Sequence, residues 1–134
     1  KINNLDYTGI EKYKAFASIA RRDIVKSDGL VIDGDLWETK INKKFDWVVA
    51  SGFFPFDYEC YSEDLLYTIK KMFFLCKSGV CFNLLSDSTP TEERFPLMKY
   101  NNPDSVSSIV SKVSNNFNIL HGYMNNDMTI HVYR

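Results

Sequence analysis

The sequence predicts an α/β protein with a mostly parallel sheet, helices on both faces and a C-terminal antiparallel hairpin. Segments with strand-like and helix-like periods alternate along the 134 residues. The runs at 45–51 and 80–85 are almost continuously apolar, which is typical of strands buried inside a parallel sheet. The last two strand-like runs are joined by a short polar turn, which fits only antiparallel neighbours. We interpret residues 1–134 as a single α/β domain.

The first third of the chain has the pattern of a strand, a helix and a second strand. The segment 5–10 predicts a short strand that ends at Glu11, and the residues after it change to a helical period. A turn at 27–29 then leads into a strand at 30–33. The apolar positions that share one face of the helix are Tyr13, Phe16, Ala17, Ala20 and Ile24.

The middle of the chain predicts a strand followed by a helix. We expect the strand at 45–51 to be covered on both faces and to stop at Gly52. Ser62 is a suitable N-cap, because the next two residues are acidic and lie where the helix dipole favours negative charge. Lys77 to Gly79 would supply a basic last turn and a glycine stop. The predicted buried stripe of this helix is Leu65, Ile69, Met72, Phe73 and Cys76.

The next elements are a buried strand at 80–85, a long polar connection at 86–100 and a third helix. Asn102 is the predicted cap of this helix, with Pro103 at its first position and an acid at its second. Its apolar face would consist of Val106, Ile109, Val110 and Val113.

Two strand-like runs, 117–123 and 128–133, form the terminal hairpin around a turn at 125–127. In the second run Met128, Ile130 and Val132 alternate with polar residues, so we expect one buried face. His121 and His131 lie on the two strands, where they could face each other. Two histidines without a third ligand do not make a metal site, so the sequence predicts none.

Composition excludes several classes of function. The formal charge is −1, which leaves no net field to attract nucleic acid or an anionic membrane. No apolar stretch approaches the roughly 20 residues that span a bilayer. Three cysteines without zinc-type spacing favour reduced, buried thiols in a cytoplasmic protein. The chain starts at Lys1, which indicates either processing or a piece of a longer polypeptide.

Candidate ligand positions follow the predicted strands, because ligands of open α/β sheets bind beyond the carboxyl ends of the strands. These positions are Glu11, Gly34 with Asp35, Ser51 with Gly52, and 83–86. An acid such as Glu11 can accept hydrogen bonds from both hydroxyls of a ribose, although a Glu at a helix start also complements the helix dipole. Asp35 could accept a hydrogen bond from an adenine amine or could be a solvated turn residue.

This spacing resembles that of the class I S-adenosylmethionine-dependent methyltransferases, which have a Rossmann-like fold. The segments that carry the resemblance are Tyr7–Glu11, Val31–Asp35, Phe45–Gly52 and the closing hairpin. It implies that the cofactor is S-adenosylmethionine and that Glu11 holds the ribose hydroxyls. It also implies that Asp35 meets the adenine amine beside the Leu36 backbone, and that Ser51 and Gly52 line the methionine end. A nicotinamide-binding domain is a more distant alternative, since its sheet is all parallel.

The sequence departs from that family at its most characteristic motif. The family's first strand and glycine-rich turn lie between the strands that here begin at Leu5 and Phe45. None of the six glycines forms a close cluster, and only four residues precede Leu5, whereas a strand–helix–strand unit needs at least about 30 residues. We therefore expect an upstream segment of the same polypeptide, or a second chain, to fill the sheet.

The resemblance implies methyl transfer, for which we favour a small-molecule acceptor. The acceptor pocket would be bounded by the loop at 53–58 and the connection at 86–100. Asp57, Tyr58 and Glu59 could orient or deprotonate an acceptor, or could be loop residues that pack or meet solvent, so the sequence identifies no catalytic residue. The alternative is a noncatalytic methyltransferase-like module that acts in partner binding or assembly.

Overall fold

The computed structural model describes residues 5–24 and 29–134, which fall into two compact units, 1–41 and 42–134. The element order matches the predicted order, with one short strand and one 3₁₀ turn added. The smaller unit contains β1 (Thr8–Glu11), α1 (Lys14–Ile24) and β2 (Leu30–Asp33). The larger unit contains β3 (Phe45–Ala50), α2 (Tyr61–Leu75), β4 (Cys76–Ser86), the 3₁₀ turn Thr91–Glu93, β5 (Tyr100–Asn101), α3 (Pro103–Val110), β6 (Phe117–Met124) and β7 (Asp127–Tyr133).

In the smaller unit β1 and β2 form a two-stranded parallel sheet, with Glu11 opposite Asp33. Helix α1 buries Ala17, and the Arg21 Nε donates to the Val31 carbonyl at 3.2 Å. The predicted apolar face of α1 is only partly buried, since Tyr13 is 66% exposed and Phe16 is 59% exposed. A sheet of two four-residue strands is too small to cover the full length of the helix. The predicted turn at 27–29 lies outside the described residues except for Gly29.

In the larger unit the strand order is β3-β4-β7-β6, and β5 pairs with the end of β4. Strands β3 and β4 are parallel, and β7 is antiparallel to both β4 and β6, which confirms the predicted hairpin. The alternation in β7 is also confirmed, because Met128, Ile130 and Val132 are fully buried. The core that α2 and α3 share with the sheet includes Leu65, Ile69, Met72, Val80, Phe82, Leu84, Val106 and Val110.

Two boundaries of α2 differ from the prediction. The helix starts at Tyr61 with Cys60 as N-cap, not at Ser62, because the buried Tyr61 ring fixes the first turn in the core. The predicted glycine stop at 77–79 is also wrong. The helix ends at Leu75, Cys76 is already extended, and β4 begins there without a loop. The start of α3 agrees with the prediction, since the Asn102 side chain accepts from the next two free backbone N–H groups.

The expectation that β3 is covered on both faces is wrong for the described residues. Trp47 is 44% exposed and Val49 is 67% exposed. Strand β3 pairs with β4 on one side and with no described strand on the other, and β1 pairs only with β2. The predicted sheet is therefore divided into two sheets, and β3 is an edge strand of the larger one.

None of the helices in the described parts of the chain is long and apolar enough to cross a membrane.

Candidate functional site

The smaller unit brings two predicted site carboxylates to the same edge of its sheet. Glu11 is the last residue of β1, and Asp35 follows β2 in the parallel neighbouring strand. The Gly34 N–H donates to the Glu11 carbonyl at 3.0 Å. Lys12 Nζ lies 2.8 Å from Asp35 Oδ2, so the residues that follow the two strands are in direct contact.

Both carboxylates already accept hydrogen bonds from their own chain. Glu11 Oε1 accepts the Tyr13 N–H at 2.8 Å, close to the start of α1. Asp35 Oδ1 accepts the Trp37 N–H at 2.7 Å, and its hydrogen bond to Lys12 raises the pKa of that ammonium. Glu11 thus has the contact of an acid at a helix start, and Asp35 has the contact of an aspartate in a turn. These are the structural interpretations that the sequence offers beside ligand binding. A carboxylate offers about four lone-pair sites, so the hydrogen bond from Tyr13 does not fill the Glu11 carboxylate.

In the larger unit the predicted pair Ser51 and Gly52 directly follows β3 and is exposed. Gly52 has φ +65°, a conformation in which a side chain would be strained. Its N–H donates to Asn83 Oδ1 at 2.8 Å. The ends of β3 and β4 are therefore joined by a hydrogen bond at the position where open α/β sheets bind ligands.

The Asn83 side chain continues this contact into a polar network with the terminal hairpin. Its Nδ2 donates to both carboxylate oxygens of Asp127, at 3.2 and 3.3 Å. The Tyr123 hydroxyl lies 2.6 Å from Asp127 Oδ2 and 2.7 Å from Thr129 Oγ1. Partial burial and the hydrogen bond to Asp127 raise the pKa of Tyr123. Asp127 is thereby held in a fixed orientation next to Asn83.

Sequence reasoning missed Asp127, which we interpreted only as part of a turn. Asn83 lay within the strand-end positions of interest but had no assigned role. A signal for Asn83 exists in the sequence, because it is an amide within the apolar run at 80–85. No comparable signal exists for Asp127, because its place beside Asn83 depends on the pairing of β4 with β7.

A cavity of about 770 Å³ lies beside this network, and all of its lining residues belong to the larger unit. Both loops that we predicted to bound an acceptor pocket contribute to it. They are paired with each other, since the Asp57 N–H donates to the Leu97 carbonyl and the Lys99 N–H to the Pro55 carbonyl, each at 2.9 Å. The lining residues are Gly52, Phe54, Pro55, Asn83, Leu84, Leu85, Thr89, Glu93, Phe95, Met98, Tyr100, Met124, Asn125, Asn126 and Asp127.

The three loop residues considered as acceptor-orienting groups do not line the cavity. Asp57 forms an ion pair with Lys99 at 3.1 Å. Partial burial and a hydrogen bond to Asp64 raise the pKa of Tyr58 to about 12. The Tyr58 phenol is therefore protonated at neutral pH and is a poor general base. Glu59 is exposed.

The two histidines do not face each other across the hairpin. His121 lies opposite Met128, and its Nε2 is 2.6 Å from Ser86 Oγ. His131 lies opposite Asn118, whose Oδ1 is 3.1 Å from the His131 Nδ1. In the described parts of the chain, no group of three or more His, Cys, Asp or Glu side chains could hold a metal ion.

The cysteines agree only partly with the expectation of buried thiols. All three are free, Cys76 is buried, and burial raises the pKa of the half-buried Cys81. Cys60 differs from the expectation because it is exposed at the N-cap of α2.

No protein-family model matches the sequence, and no curated protein matches it. Solved structures do match, at low sequence identity. Magnesium protoporphyrin IX methyltransferase from Synechocystis with bound SAH has a TM-score of 0.73 and 9% identity, over 98% of this chain and 65% of that one. A possible exported protein from Bordetella parapertussis has a TM-score of 0.78 and 8% identity, over 96% of this chain and 53% of that one.

An S-adenosylmethionine-dependent methyltransferase from Clostridium acetobutylicum has a TM-score of 0.71 and 12% identity, over 96% of this chain and 75% of that one. The chain thus spans less than two thirds of the first two structures. At these identities the matches concern the fold alone. The chain has the α/β fold of the class I methyltransferases, as the sequence predicts.

Proposed function

We propose that this chain acts in S-adenosylmethionine-dependent methyl transfer to a small-molecule acceptor and supplies the adenosine half of the cofactor site. The observation that carries the proposal is the pair of carboxylates at the ends of the neighbouring parallel strands β1 and β2. Acids at this place in a nucleotide-binding sheet accept hydrogen bonds from the nucleoside. Support also comes from similar folds that were solved with bound SAM or SAH.

The residues present fit such a cofactor. Glu11 is half-buried at the strand end and could accept hydrogen bonds from the ribose hydroxyls. The Asp35 side chain is 18% exposed, and the Lys12 that contacts it is 67% exposed and free to move aside for an adenine amine. The half-buried Leu36 would lie beside the adenine. In the larger unit, the positive φ and open surroundings of Gly52 let a ligand group approach its backbone.

When bound, the cofactor supplies a methyl group activated by its sulfonium. The contribution of the chain is therefore alignment more than chemistry, because an in-line displacement requires the nucleophile and the methyl group to be held at the correct distance and angle. The cavity beside Gly52 is where an acceptor would be oriented. Asp127, a carboxylate of the cavity lining, could accept a proton from the acceptor.

Calorimetric titration with S-adenosylhomocysteine tests this proposal. We expect saturable binding that Glu11→Ala and Asp35→Ala each weaken by about tenfold, because each removes hydrogen bonds to a charged acceptor. Asp33→Ala is the matched control, since Asp33 is an exposed carboxylate on the same sheet edge and has no proposed role. No binding by the folded protein, or equal effects of all three substitutions, would contradict the proposal.

We also propose that a strand from a preceding segment of the same polypeptide covers β3. The outer edge of β3 has no strand partner among the described residues, and one face of the strand, which carries Trp47 and Val49, is partly exposed. An unpaired, apolar edge strand is a site for pairing with another strand. A second chain would be the alternative source of this strand.

The same open edge favours the second candidate function, a noncatalytic module in assembly. An S-adenosylhomocysteine titration without binding would support that function.

We place the protein in the cytoplasm, where its three free thiols would stay reduced.

A further inference from the structure

The cavity in the larger unit combines apolar walls with a charge of one sign. Its volume of about 770 Å³ is in the range of small-molecule sites, which is roughly 300 to 1,000 Å³. Phe54 forms a fixed wall, because it is 8% exposed and packs edge-to-face on Phe82 with ring centroids 6.0 Å apart. Phe95, 71% exposed, and Met124, 53% exposed, also line the cavity. These walls suit a flat, apolar ligand body.

Asp127 and Glu93 are the ionisable carboxylates of the lining, and the described lining residues include no Lys, Arg or His. Arg94 is not itself a lining residue, but its Nε donates to the carbonyl of the lining residue Thr89 and its guanidinium covers the ring of the lining residue Tyr100 at 5.1 Å. Lys99 is paired with Asp57. The ionised side chains of the lining itself are therefore both negative, and the neighbouring Arg94 guanidinium is held by its own contacts with Thr89 and Tyr100.

Asp127 is oriented by its partners and still has acceptor capacity. Asn83 cannot turn its amide without losing the Gly52 N–H on its oxygen, so its Nδ2 stays on Asp127. Tyr123 approaches one oxygen of the same carboxylate. Three hydrogen bonds from two neighbours do not fill the roughly four lone-pair sites of a carboxylate. A ligand cation can therefore bind at this end of the cavity.

We propose that this cavity binds a small ligand in which an apolar, aromatic-sized body carries an ammonium group, with the ammonium on Asp127. The claim that this ligand is the methyl acceptor rests on the proposed function. The claim that the cavity binds it does not. A carboxylate-bearing or phosphate-bearing ligand of the same size is disfavoured, because it would meet Asp127 and Glu93 as like charges.

The test compares two probes of similar shape and opposite charge, tryptamine and indole-3-propionate, by calorimetry on the protein without cofactor. We expect saturable tryptamine binding at least about tenfold tighter than that of indole-3-propionate. Asp127→Asn should remove most of this preference. No tryptamine binding by the folded protein, or equal binding of both probes, would overturn the proposal.

Asp127 also connects the terminal hairpin to β4, so Asp127→Asn could prevent folding. A second pair of variants tests the proposal at positions where folding should not be affected. Glu93 is exposed at the cavity, so Glu93→Gln should fold and weaken tryptamine about two- to fivefold. Glu92→Gln is the control, since Glu92 is an adjacent exposed carboxylate outside the lining. Equal effects of the two would count against the proposal. Tryptamine binding without S-adenosylhomocysteine binding would separate this inference from the proposed function, which would then fail alone.

Discussion

Tyr61 is a phenol in the core of the larger unit, with 3% of its surface exposed. Its Oη has no hydrogen-bond partner of standard geometry among the described residues. Burial raises the pKa of Tyr61 to about 12, and the nearby Asn101 side chain offsets part of the increase. The folded state therefore holds the phenol proton more tightly than the unfolded chain, in which a tyrosine titrates near pH 10.

The sign of this shift predicts a loss of stability at alkaline pH. The contribution is complete below about pH 10 and is lost as the pH rises from about 10 to about 12, by roughly 2 to 3 kcal/mol. Tyr61→Phe should remove this loss and change the free energy of unfolding at pH 7 by less than about 1 kcal/mol. Urea unfolding at pH 7, 9 and 11 tests both expectations, with about half of the loss, roughly 1.4 kcal/mol, present at pH 11.

The control for this substitution is Tyr67→Phe, because Tyr67 is 56% exposed on the same helix. It should leave the alkaline decline of the wild-type protein unchanged. If Tyr61→Phe declines with pH as steeply as Tyr67→Phe does, the buried phenol is not the cause.

At the scale of single elements, the sequence predicts the start of α3 correctly but not the end of α2. The cap of α3 is local, since Asn102 accepts from backbone groups two and three residues ahead, and a short window of sequence contains that information. The end of α2 is not local. Cys76 turns extended because it pairs there with Phe45 of β3, and a pattern of Lys, Ser and Gly cannot reveal distant pairing.

Gly79 is the residue that the sequence predicts as the stop of α2. It lies within β4, and a Cβ there would be 2.7 Å from Trp47 Cζ3 and 2.8 Å from the Val132 carbonyl oxygen. Trp47 is partly exposed and could move, but Val132 belongs to the paired strand β7. Glycine is therefore required here for the close approach of three strands, not to end a helix.

We predict that Gly79→Ala lowers the free energy of unfolding by about 1 to 3 kcal/mol, the usual cost of forcing an atom into a packed site. Urea unfolding at pH 7 measures this change. Ser78→Ala is the control at the adjacent exposed position and should stay within about 0.5 kcal/mol of the wild type. A Gly79→Ala value within the same range would contradict the packing argument.

At the scale of the whole molecule, the order of elements was predictable from the sequence. The division into two sheets was only partly predictable. Alternating periods and the terminal turn are features of sequence, and they are sufficient for the β1-to-β7 order. The burial of β3 was not predictable, because an apolar run such as 45–51 looks the same whether its covering element is present or absent. The same limit applies to the site, where Glu11 and Asp35 follow their strands but Asp127 is placed by strand pairing.

The exposed Val49 offers a test of whether another segment covers β3 in the protein as it occurs in its source. Val49 is 67% exposed in this chain, so Val49→Lys should change the free energy of unfolding of the 134-residue chain by less than about 0.5 kcal/mol. If a preceding segment of the polypeptide pairs with β3 and also lies over the face that carries Val49, the same substitution in the protein with its native N-terminus buries a charge. The loss should then exceed about 2 kcal/mol.

Urea unfolding of both proteins, with intact mass and light scattering, measures this difference. A native product heavier than 15.6 kDa that stays monomeric and is sensitive to Val49→Lys supports a covering segment in the same polypeptide. A native product of 15.6 kDa that forms a complex destabilised by Val49→Lys indicates a second chain instead. Leu97→Lys is the control, because Leu97 is 81% exposed in a loop and should tolerate lysine in either protein. Equal tolerance of Val49→Lys in both would mean that this face of β3 stays open, and a segment that covers it would have to be abandoned.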